Sequence, residues 1–493
     1  MLDDIVVGNE VSKDEYERVV PALREELVEL QYELRDRGFA VLVHLVGTDS
    51  IGCEEIYDRL HVWMDARYLR SEAFDLASEE ERERPLFWRY WRALPRHGLV
   101  GIHYGAWSLA ALAGVLRKTL DEQSFDARIE HVQRFEKTLV DDGTLLVKLW
   151  LHVPKKVFKQ RLDEAASDPA TSAFVDQRDW NILENYDELI PSAERYISRT
   201  DTAATPWTLI ESSDARHRDL TVARTIRDAL RARLDALDER ASAAAPVRSE
   251  DESRNASASL LSKVDLSSEL EKREYKRRLV KLQARLHVLS ARAASKGVST
   301  VLAFEGWDAA GKGGAIRRIT NVVRARFVRV VPIAAPTEDE LAHHYLWRFW
   351  QHLPRAGRML IFDRSWYGRV LVERVEGYAA EADWRRAYSE INDFEASLAE
   401  HDVVFLKFWL HISEEEQLRR FKEREATGYK RHKITEDDYR NRAKRADYVT
   451  AVDEMVRRTS TDVAPWHLIA AEDKRWARIQ VLERLCEALD EAL

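Results

Sequence analysis

Residues 304–314 read Phe-Glu-Gly-Trp-Asp-Ala-Ala-Gly-Lys-Gly-Gly and match the phosphate-loop pattern G-x-x-x-x-G-K at Gly306, Gly311 and Lys312. The apolar run 298–304 leads into this stretch, and a segment compatible with a helix follows it. In such an arrangement a buried strand delivers the chain to a tight turn whose backbone N–H groups surround phosphate oxygens, and the lysine reaches the transferred group. The stretch therefore predicts a strand, a phosphate-binding turn and a helix.

One position departs from the usual pattern. Gly313 stands where a Ser or Thr hydroxyl would bind Mg²⁺. A metal ion at this loop must then be held by other groups, and Asp308 within the loop is the nearest candidate.

The chain repeats itself at a shift of 259 residues. One register holds over about 160 residues with almost no gaps. We therefore interpret the chain as a tandem duplication. The matching positions include Gly47 with Gly306, Asp49 with Asp308, Gly52 with Gly311, Trp107 with Trp366, Trp150 with Trp409, and Pro206-Trp207 with Pro465-Trp466.

The two copies differ mainly at charged positions. Residues 424–445 carry eight Lys or Arg side chains, whereas the counterpart 165–186 carries only Arg178. Residues that shape a fold are retained, so we expect the first half to be a non-catalytic copy and the second half to be the working one. The other charge differences are Lys312 against Cys53, Asp363 against Tyr104, and Arg364 against Gly105.

Length and composition suit two domains in one chain. The 493 residues are 45% apolar, enough to fill two cores of ordinary domain size. A stretch rich in Ala, Ser and charge separates the halves, so we predict domains at 1–240 and 263–493 with a linker at 241–262. Each domain is expected to open with a long amphipathic helix, at about 12–37 and about 267–296, ended by a glycine.

Charge and cysteine content narrow the class of protein. The net charge of −9 argues against general nucleic-acid binding, yet residues 1–250 carry −13 and residues 251–493 carry +4. The half with the intact loop is thus the one suited to an anionic ligand. Two cysteines, Cys53 and Cys486, fit a reducing compartment, and no apolar span of membrane length is present. We expect a soluble, cytoplasmic protein without a membrane partner.

The apolar runs predict a parallel sheet in each half. In the second half, four runs besides the loop strand look like buried strands, and helical patterns separate them. We predict an α/β fold in which a doubly wound parallel sheet is flanked by helices. Ligands in such sheets bind beyond the carboxyl ends of the strands, where Lys312 and Asp363 both belong. The four runs are 328–332, 359–362, 403–409 and 466–470.

A second motif, Asp363-Arg364-Ser365-Trp366-Tyr367-Gly368-Arg369, follows the run 359–362. A carboxylate that leaves a buried strand beside a phosphate loop is a usual place for Mg²⁺ or for orienting a nucleophile. Arg364 and Arg369 have planar heads with several donors, which suit phosphate. Together with residues 304–314, this motif closely resembles the polyphosphate kinase 2 family, and the resemblance covers both halves while the functional motifs match only in the second.

The resemblance implies two tandem P-loop-kinase-like domains with a helical lid, and Mg²⁺-dependent phosphoryl transfer between polyphosphate and a nucleotide. Two-domain members resemble the subgroup that makes ADP from AMP, so the implied substrates are inorganic polyphosphate and AMP. The implied catalytic residues are Asp308, Lys312, Asp363 and Arg364, with Asp308 and Asp363 as metal ligands. Expected phosphate-binding residues are Gly306, Gly311, Gly313, Gly314, Arg369 and, in the lid, Lys430, Arg431 and Lys433, and expected nucleotide-binding residues are Glu373 and Arg374.

Other interpretations stay open at this point. The acceptor could be ADP or GDP, the reaction could run in reverse, or the donor could be ATP. The first half could be an assembly module in place of a second subunit or a weak ligand binder, and the fused halves suggest a homodimer. The paired tryptophans are expected in the core, while His343, His344 and His411 lack the spacing of a metal site.

Overall fold

Two five-stranded parallel sheets form the framework of the computed structural model, which describes residues 1–2, 5, 7–169, 171–172, 175–243, 259–427 and 436–493. The strands of the first half are β1 (Val41–Gly47), β2 (Leu69–Ala73), β3 (Val100–Tyr104), β4 (Leu145–His152) and β5 (Trp207–Glu211). Those of the second half are β6 (Thr300–Gly306), β7 (Val328–Pro332), β8 (Met359–Asp363), β9 (Val404–His411) and β10 (Trp466–Ala470).

Helices connect and flank these strands. The helices of the first half are α1 (Lys13–Leu34), α2 (Ser50–Trp63), α3 (Glu79–Arg82), α4 (Trp88–Ala93), α5 (Ala106–Leu116), α6 (Glu122–Asp141), α7 (Lys155–Ser167), α8 (Gln177–Glu184), α9 (Tyr186–Thr200) and α10 (Ala215–Ala243). Those of the second half are α11 (Lys272–Lys296), α12 (Lys312–Thr320), α13 (Glu338–Leu341), α14 (Trp347–Trp350), α15 (Val372–Val375), α16 (Glu381–Ala399), α17 (Glu414–Glu425), α18 (Glu436–Ala443), α19 (Arg445–Thr459) and α20 (Lys474–Glu491).

The strand order places the loop strand at the centre of each sheet. The orders are β2-β3-β1-β4-β5 and β7-β8-β6-β9-β10, with every described pairing parallel. Six of the seven residues of β1, and likewise of β6, are buried, because helices cover the sheet and parallel strands bury both faces. The predicted doubly wound α/β fold is confirmed.

The duplication is visible strand by strand. Each of the five strands in the second half begins 259 residues after its counterpart and has the same length, as in Val41–Gly47 and Thr300–Gly306. The same side-chain pattern has therefore produced the same sheet twice.

Residue types at the ends of the long helices explain where α1 begins and where α11 ends. α1 begins after Ser12, whose hydroxyl accepts the Glu15 amide N–H at 3.2 Å and so caps the first turn. α11 ends at Gly297, whose φ of 74° is left-handed, as predicted for a glycine at this position. α10 extends to Ala243, into the first residues of the predicted linker, and the rest of that linker up to residue 258 lies outside the described residues.

The chain forms two compact units, and no single boundary in the sequence separates them. Unit 1 contains the described residues within 1–77, 89–249 and 338–344, and unit 2 those within 78–88, 250–337 and 345–493. Each unit thus includes a short segment from the opposite half, and the two segments lie at equivalent positions of the repeat. Within unit 2, the Arg84 Nε donates to the Leu353 carbonyl oxygen at 3.1 Å, and within unit 1 the His97 amide donates to Ala342 at 2.8 Å.

The tryptophans predicted to be structural are in the core. Trp107, Trp150, Trp366 and Trp409 are buried, as are both cysteines. None of the described helices combines the length and apolar character needed to cross a lipid bilayer.

Candidate active site

The phosphate loop of unit 2 joins the central strand β6 to α12. A Cβ atom on Gly306 would lie 2.5 Å from the carbonyl oxygen of Leu410, so the close approach of β9 requires glycine there. Gly311 has a φ of 116° and begins the helix in a conformation that an L side chain rarely adopts. Gly314 faces Arg478, whereas space is open beside Gly313. Two of the four predicted loop glycines are thus demanded by geometry.

Lys312 is the first residue of α12 and lies across this loop. Its Nζ donates to the carbonyl oxygens of Gly306 at 2.7 Å and Trp307 at 3.4 Å. The N-cap residue of α12 is Gly311, which has no side chain to cap the helix, so the first amide N–H groups and the positive end of the helix dipole face the loop. The arrangement is suited to an anion, and Lys312 could exchange its two carbonyl partners for phosphate oxygens.

Asp308 and Arg364 meet beside the loop. Arg364 Nη2 lies 3.0 Å from Asp308 Oδ1, and Asn441 Nδ2 donates to Asp308 Oδ2 at 3.2 Å. β8 ends at Asp363, next to Phe304 of β6 in parallel register. The structure therefore brings all four predicted catalytic residues to one edge of the sheet: Asp308, Lys312, Asp363 and Arg364.

Arg364 holds an unusual backbone conformation. Its φ is 67°, in the left-handed region that costs a residue other than glycine about 1–3 kcal/mol. The equivalent Gly105 in unit 1 has a φ of 79°. Both units thus have a positive φ at this position, and in unit 2 the residue carries a guanidinium despite the strain.

Two carboxylates suit a cation at this edge. Mg²⁺ prefers oxygen ligands and usually binds through one or two carboxylates plus substrate phosphates. No side chain in the part of the chain that the structure describes donates a hydrogen bond to the Asp363 carboxylate. Likewise, within the described ranges, no cluster of three or more His, Cys, Asp or Glu side chains forms an all-protein metal site. Asp308 and Asp363 therefore fit a metal that also binds substrate.

Several residues that support the loop were not predicted. Arg420 is 2% exposed, and its Nη1 donates to the carbonyl oxygens of Ala309 at 3.0 Å and Ala310 at 2.9 Å. Burial raises the pKa of Glu305, whose carboxylate accepts the Ser365 amide at 2.7 Å and the Ser365 hydroxyl at 2.8 Å. These contacts connect the loop to α17 and to the turn after β8. Arginine at both repeat positions, 161 and 420, is the signal that could have identified Arg420.

The other predicted residues of the second motif have protein partners. Arg369 Nε lies 3.2 Å from Glu373 Oε2, and its guanidinium stacks on Tyr345 at 4.5 Å. Arg374 donates to Glu454 at 2.7 Å and stacks on Trp384 at 4.0 Å, and none of its described contacts reaches the loop.

The lid implied by the resemblance corresponds to residues 424–445, and the structure describes only part of it. The predicted phosphate ligands Lys430, Arg431 and Lys433 lie outside the described residues. α18 belongs to the same basic segment and reaches the loop through Asn441.

Unit 1 has no comparable loop. α2 begins at Ser50, so the residues equivalent to 309–311 form the first turn of a helix. The fully buried Asp49 caps that turn, accepting the Gly52 amide at 3.0 Å, and also pairs with Arg161 at 2.5 Å. A carboxylate of the protein itself occupies the helix terminus that unit 2 leaves open. Burial raises the pKa of the Cys53 thiol well above its ordinary value, which leaves it uncharged at the lysine position.

Comparisons with known proteins agree with this geometry. A family model described as polyphosphate kinase 2 matches residues 10–237 and again residues 269–493. Polyphosphate:AMP phosphotransferase of Pseudomonas aeruginosa is 46% identical over 496 residues, which cover 100% of this chain and 99% of the relative. ADP-polyphosphate phosphotransferase 3 of Rhizobium meliloti is 40% identical over 215 residues, which cover 44% of this chain and 76% of the relative.

A solved structure extends the likeness to the whole fold. A crystal structure described as that of a polyphosphate kinase 2 from Pseudomonas aeruginosa superposes with a TM-score of 0.88 at 45% identity. The match covers 100% of this chain and 99% of that one.

Proposed function

The chain belongs to the polyphosphate kinase 2 family, and we propose on that premise that it transfers a phosphoryl group from inorganic polyphosphate to AMP, giving ADP. The observation that carries the proposal is the open phosphate loop of unit 2, with Lys312 across it and Asp308, Asp363 and Arg364 beside it. Similarity to a polyphosphate:AMP phosphotransferase over the full length of both chains supports AMP as the acceptor.

The reaction needs little covalent work from the protein. A phosphate oxygen of AMP is already ionised at neutral pH and attacks the terminal phosphorus of polyphosphate in line, while the bond from that phosphorus to the bridging oxygen breaks. The shortened polyphosphate keeps the electron pair of the broken bond. Lys312, the loop amides and Arg364 stabilise the charge on the transferred group, so positioning and charge neutralisation carry most of the rate.

We further propose that Asp308 and Asp363 hold Mg²⁺ when the substrates bind. The ion would neutralise charge on the phosphates and fix their oxygens. For Asp308 to act in this way, its carboxylate has to share or release the Arg364 guanidinium, which then becomes available to a phosphate oxygen.

Unit 1 is proposed to be non-catalytic. Its loop is wound into α2, its lysine position holds Cys53, and Tyr104 stands in place of Asp363. Polyphosphate binding by Lys430, Arg431, Lys433 and Arg369, nucleotide binding by Glu373 and Arg374, and assembly into a homodimer remain predictions.

A second acceptor is the main alternative. A relative that matches less than half of this chain is named for ADP rather than AMP, so phosphorylation of ADP to ATP by the same site is the competing function.

The test is a nucleotide assay. The purified full-length protein is incubated with long-chain polyphosphate and Mg²⁺ and with AMP, ADP or GMP, and the nucleotides are then separated. We expect ADP from AMP, and none from the Lys312→Ala variant. ATP from ADP without ADP from AMP would select the alternative, and turnover with ATP but not with polyphosphate would reject the donor.

A further inference from the structure

Several cations around the site of unit 2, other than Lys312, are paired with carboxylates of the protein. Arg364 pairs with Asp308, and Arg369 pairs with Glu373. Glu376 pairs with two cations at once, and of these three carboxylates it is the most buried, with its side chain 4% exposed.

Glu376 lies immediately after α15, at the C-cap of that helix. Its Oε2 is 2.8 Å from Lys444 Nζ and 3.3 Å from Arg440 Nε. Its Oε1 is shielded from solvent and has no hydrogen-bond partner among the described residues. Burial of a carboxylate is unfavourable unless it is paired, so this geometry holds the two cations strongly. Both cations reach outward, with 39% and 45% of their side chains exposed.

The paired cations belong to the segment that reaches the phosphate loop. Arg440 lies in α18 beside Asn441, which donates to Asp308, and Tyr448 donates to the Asn441 side-chain oxygen at 3.3 Å. Burial and the nearby charges of Glu376 and Asp308 together raise the pKa of Tyr448. Arg440 and Asn441 are consecutive residues of α18, so one turn of this helix joins Glu376 to the loop aspartate.

The repeat shows that the pairing accompanies the open loop. The positions equivalent to Glu376, Arg440 and Lys444 are Arg117, Asn181 and Asn185 in unit 1. A carboxylate flanked by two cations is replaced there by one cation and two amides. The carboxylate and its two cations thus occur in the unit whose phosphate loop is open, and the equivalent positions differ in the unit where Asp49 caps the helix.

Given the proposed function, we propose that Glu376 is a positioning residue that holds Arg440 and Lys444 beside the phosphate loop and competes with polyphosphate for them. In the free protein the carboxylate neutralises and orders the two cations. When polyphosphate binds, its oxygens share or replace the carboxylate, so the cations meet the substrate in one arrangement. The carboxylate thus weakens binding of the donor and improves its placement.

The test is Glu376→Gln in the full-length protein, with polyphosphate varied at saturating AMP. Removal of the charge leaves both cations more attractive to the donor but less ordered. We expect KM for polyphosphate to fall about threefold to tenfold and kcat to fall about tenfold, because ground-state binding improves while placement worsens. The decrease in KM should shrink at high ionic strength, where the added attraction is screened.

Glu390→Gln is the matched control. Glu390 is 5% exposed on α16 and pairs with Arg386 at 2.9 Å, so its replacement removes a charge of similar burial in the same unit. We expect it to leave KM for polyphosphate and kcat unchanged. An unchanged or raised KM in Glu376→Gln, or the same combined decrease in Glu390→Gln, would overturn the proposal.

A second series separates competition from general disruption. Arg440 and Lys444 are exposed enough that the double variant Arg440→Gln, Lys444→Gln should fold. In that background Glu376→Gln should no longer lower KM, and a persistent decrease would show that the carboxylate does not act through these cations. Equilibrium binding of polyphosphate to each variant reports on Glu376 even if the wild-type protein forms no ADP, an outcome that would reject the proposed function alone.

Discussion

The two units build the same sheet, yet the chain takes different paths where it leaves the central strand. In unit 1, Asp49 turns inward and caps a helix that begins at once, whereas in unit 2 Asp308 turns toward Arg364 and the helix begins three residues later at Lys312. The difference shows that the same turn can be completed by a carboxylate of the protein or left open for an external anion. The same sheet is therefore compatible with either form of the turn.

The largest effect is expected when the residue at the lysine position is replaced in each unit. Lys312→Ala removes the ammonium from the open loop and should lower kcat for ADP formation by at least about 10³-fold, since it removes charge stabilisation where the barrier is highest. Cys53→Ala at the equivalent position of unit 1 should leave activity unchanged. Assays of both variants, with thermal unfolding as a control for folding, check the assignment, and a loss of activity in Cys53→Ala would contradict it.

Acid should lower the free energy of unfolding of both units, because each contains a buried histidine. Burial lowers the pKa of His103 in unit 1 and of His411 in unit 2 to about 4, below the ordinary 6.5, and His411 accepts the Trp307 indole N–H at 2.9 Å. The unfolded chain therefore takes up these protons first. The stabilisation is fully present above pH 6.5 and is lost as the pH falls to 4, by up to about 3 kcal/mol for each histidine.

Urea unfolding between pH 7 and 4 measures the slope of the free energy of unfolding against pH. His411→Asn keeps a polar partner for Trp307 but removes the titrating group, so it should flatten the slope. A slope equal to that of the wild-type protein would rule out His411 as a contributor.

Substitutions at Arg364 and at the equivalent Gly105 distinguish the effect of backbone strain on stability from the effect of the guanidinium on activity. Arg364→Gly should raise the free energy of unfolding by about 1 kcal/mol, because glycine adopts this φ without strain, while it lowers activity about 10²-fold. Gly105→Ala should lower stability by about 1–2 kcal/mol without changing activity, since its new Cβ would lie 2.9 Å from Leu109. Urea midpoints and ADP formation are the two measurements, and a destabilised Arg364→Gly would refute the strain argument.

The smallest effect concerns the segment that unit 2 takes from the first half of the chain. Arg84→Ala removes the hydrogen bond to Leu353 and a guanidinium stacked on Trp88 at 4.1 Å, so unfolding should become easier by about 1 kcal/mol. Arg82→Ala, at an exposed position of α3, is the control and should have a smaller effect, because interactions of exposed charges contribute little to stability. Equal midpoints for the two variants would show that the Arg84 contacts do not stabilise unit 2.

Much of this molecule could be predicted because its signals are local or periodic. Glycines at fixed spacing after an apolar run identified the loop, and a constant shift of 259 residues identified the repeat and all five strand pairs. Comparison of the copies also predicted which half keeps the charges of the site.

What could not be predicted depends on contacts distant in sequence. Arg420 binds loop carbonyls more than 100 residues away, and Asn441 reaches Asp308 from the lid. The helix cap in unit 1 could be predicted only in part. Asp is among the best N-cap residues, and Asp49 does cap α2, but the equivalent Asp308 does not cap α12. Nothing in the sequence pattern predicted that residues 78–88 belong to unit 2 and residues 338–344 to unit 1.

These two exchanged segments, 78–88 and 338–344, affect the timing of folding. Unit 1 includes residues 338–344, so it lacks part of its structure until about two thirds of the chain has been synthesised. Residues 78–88 are made early and have their partners near residue 353 much later, a separation of 269 residues for Arg84 and Leu353. Closing such long loops is slow, so final consolidation of both units is expected late, after the ribosome has produced most of the second half.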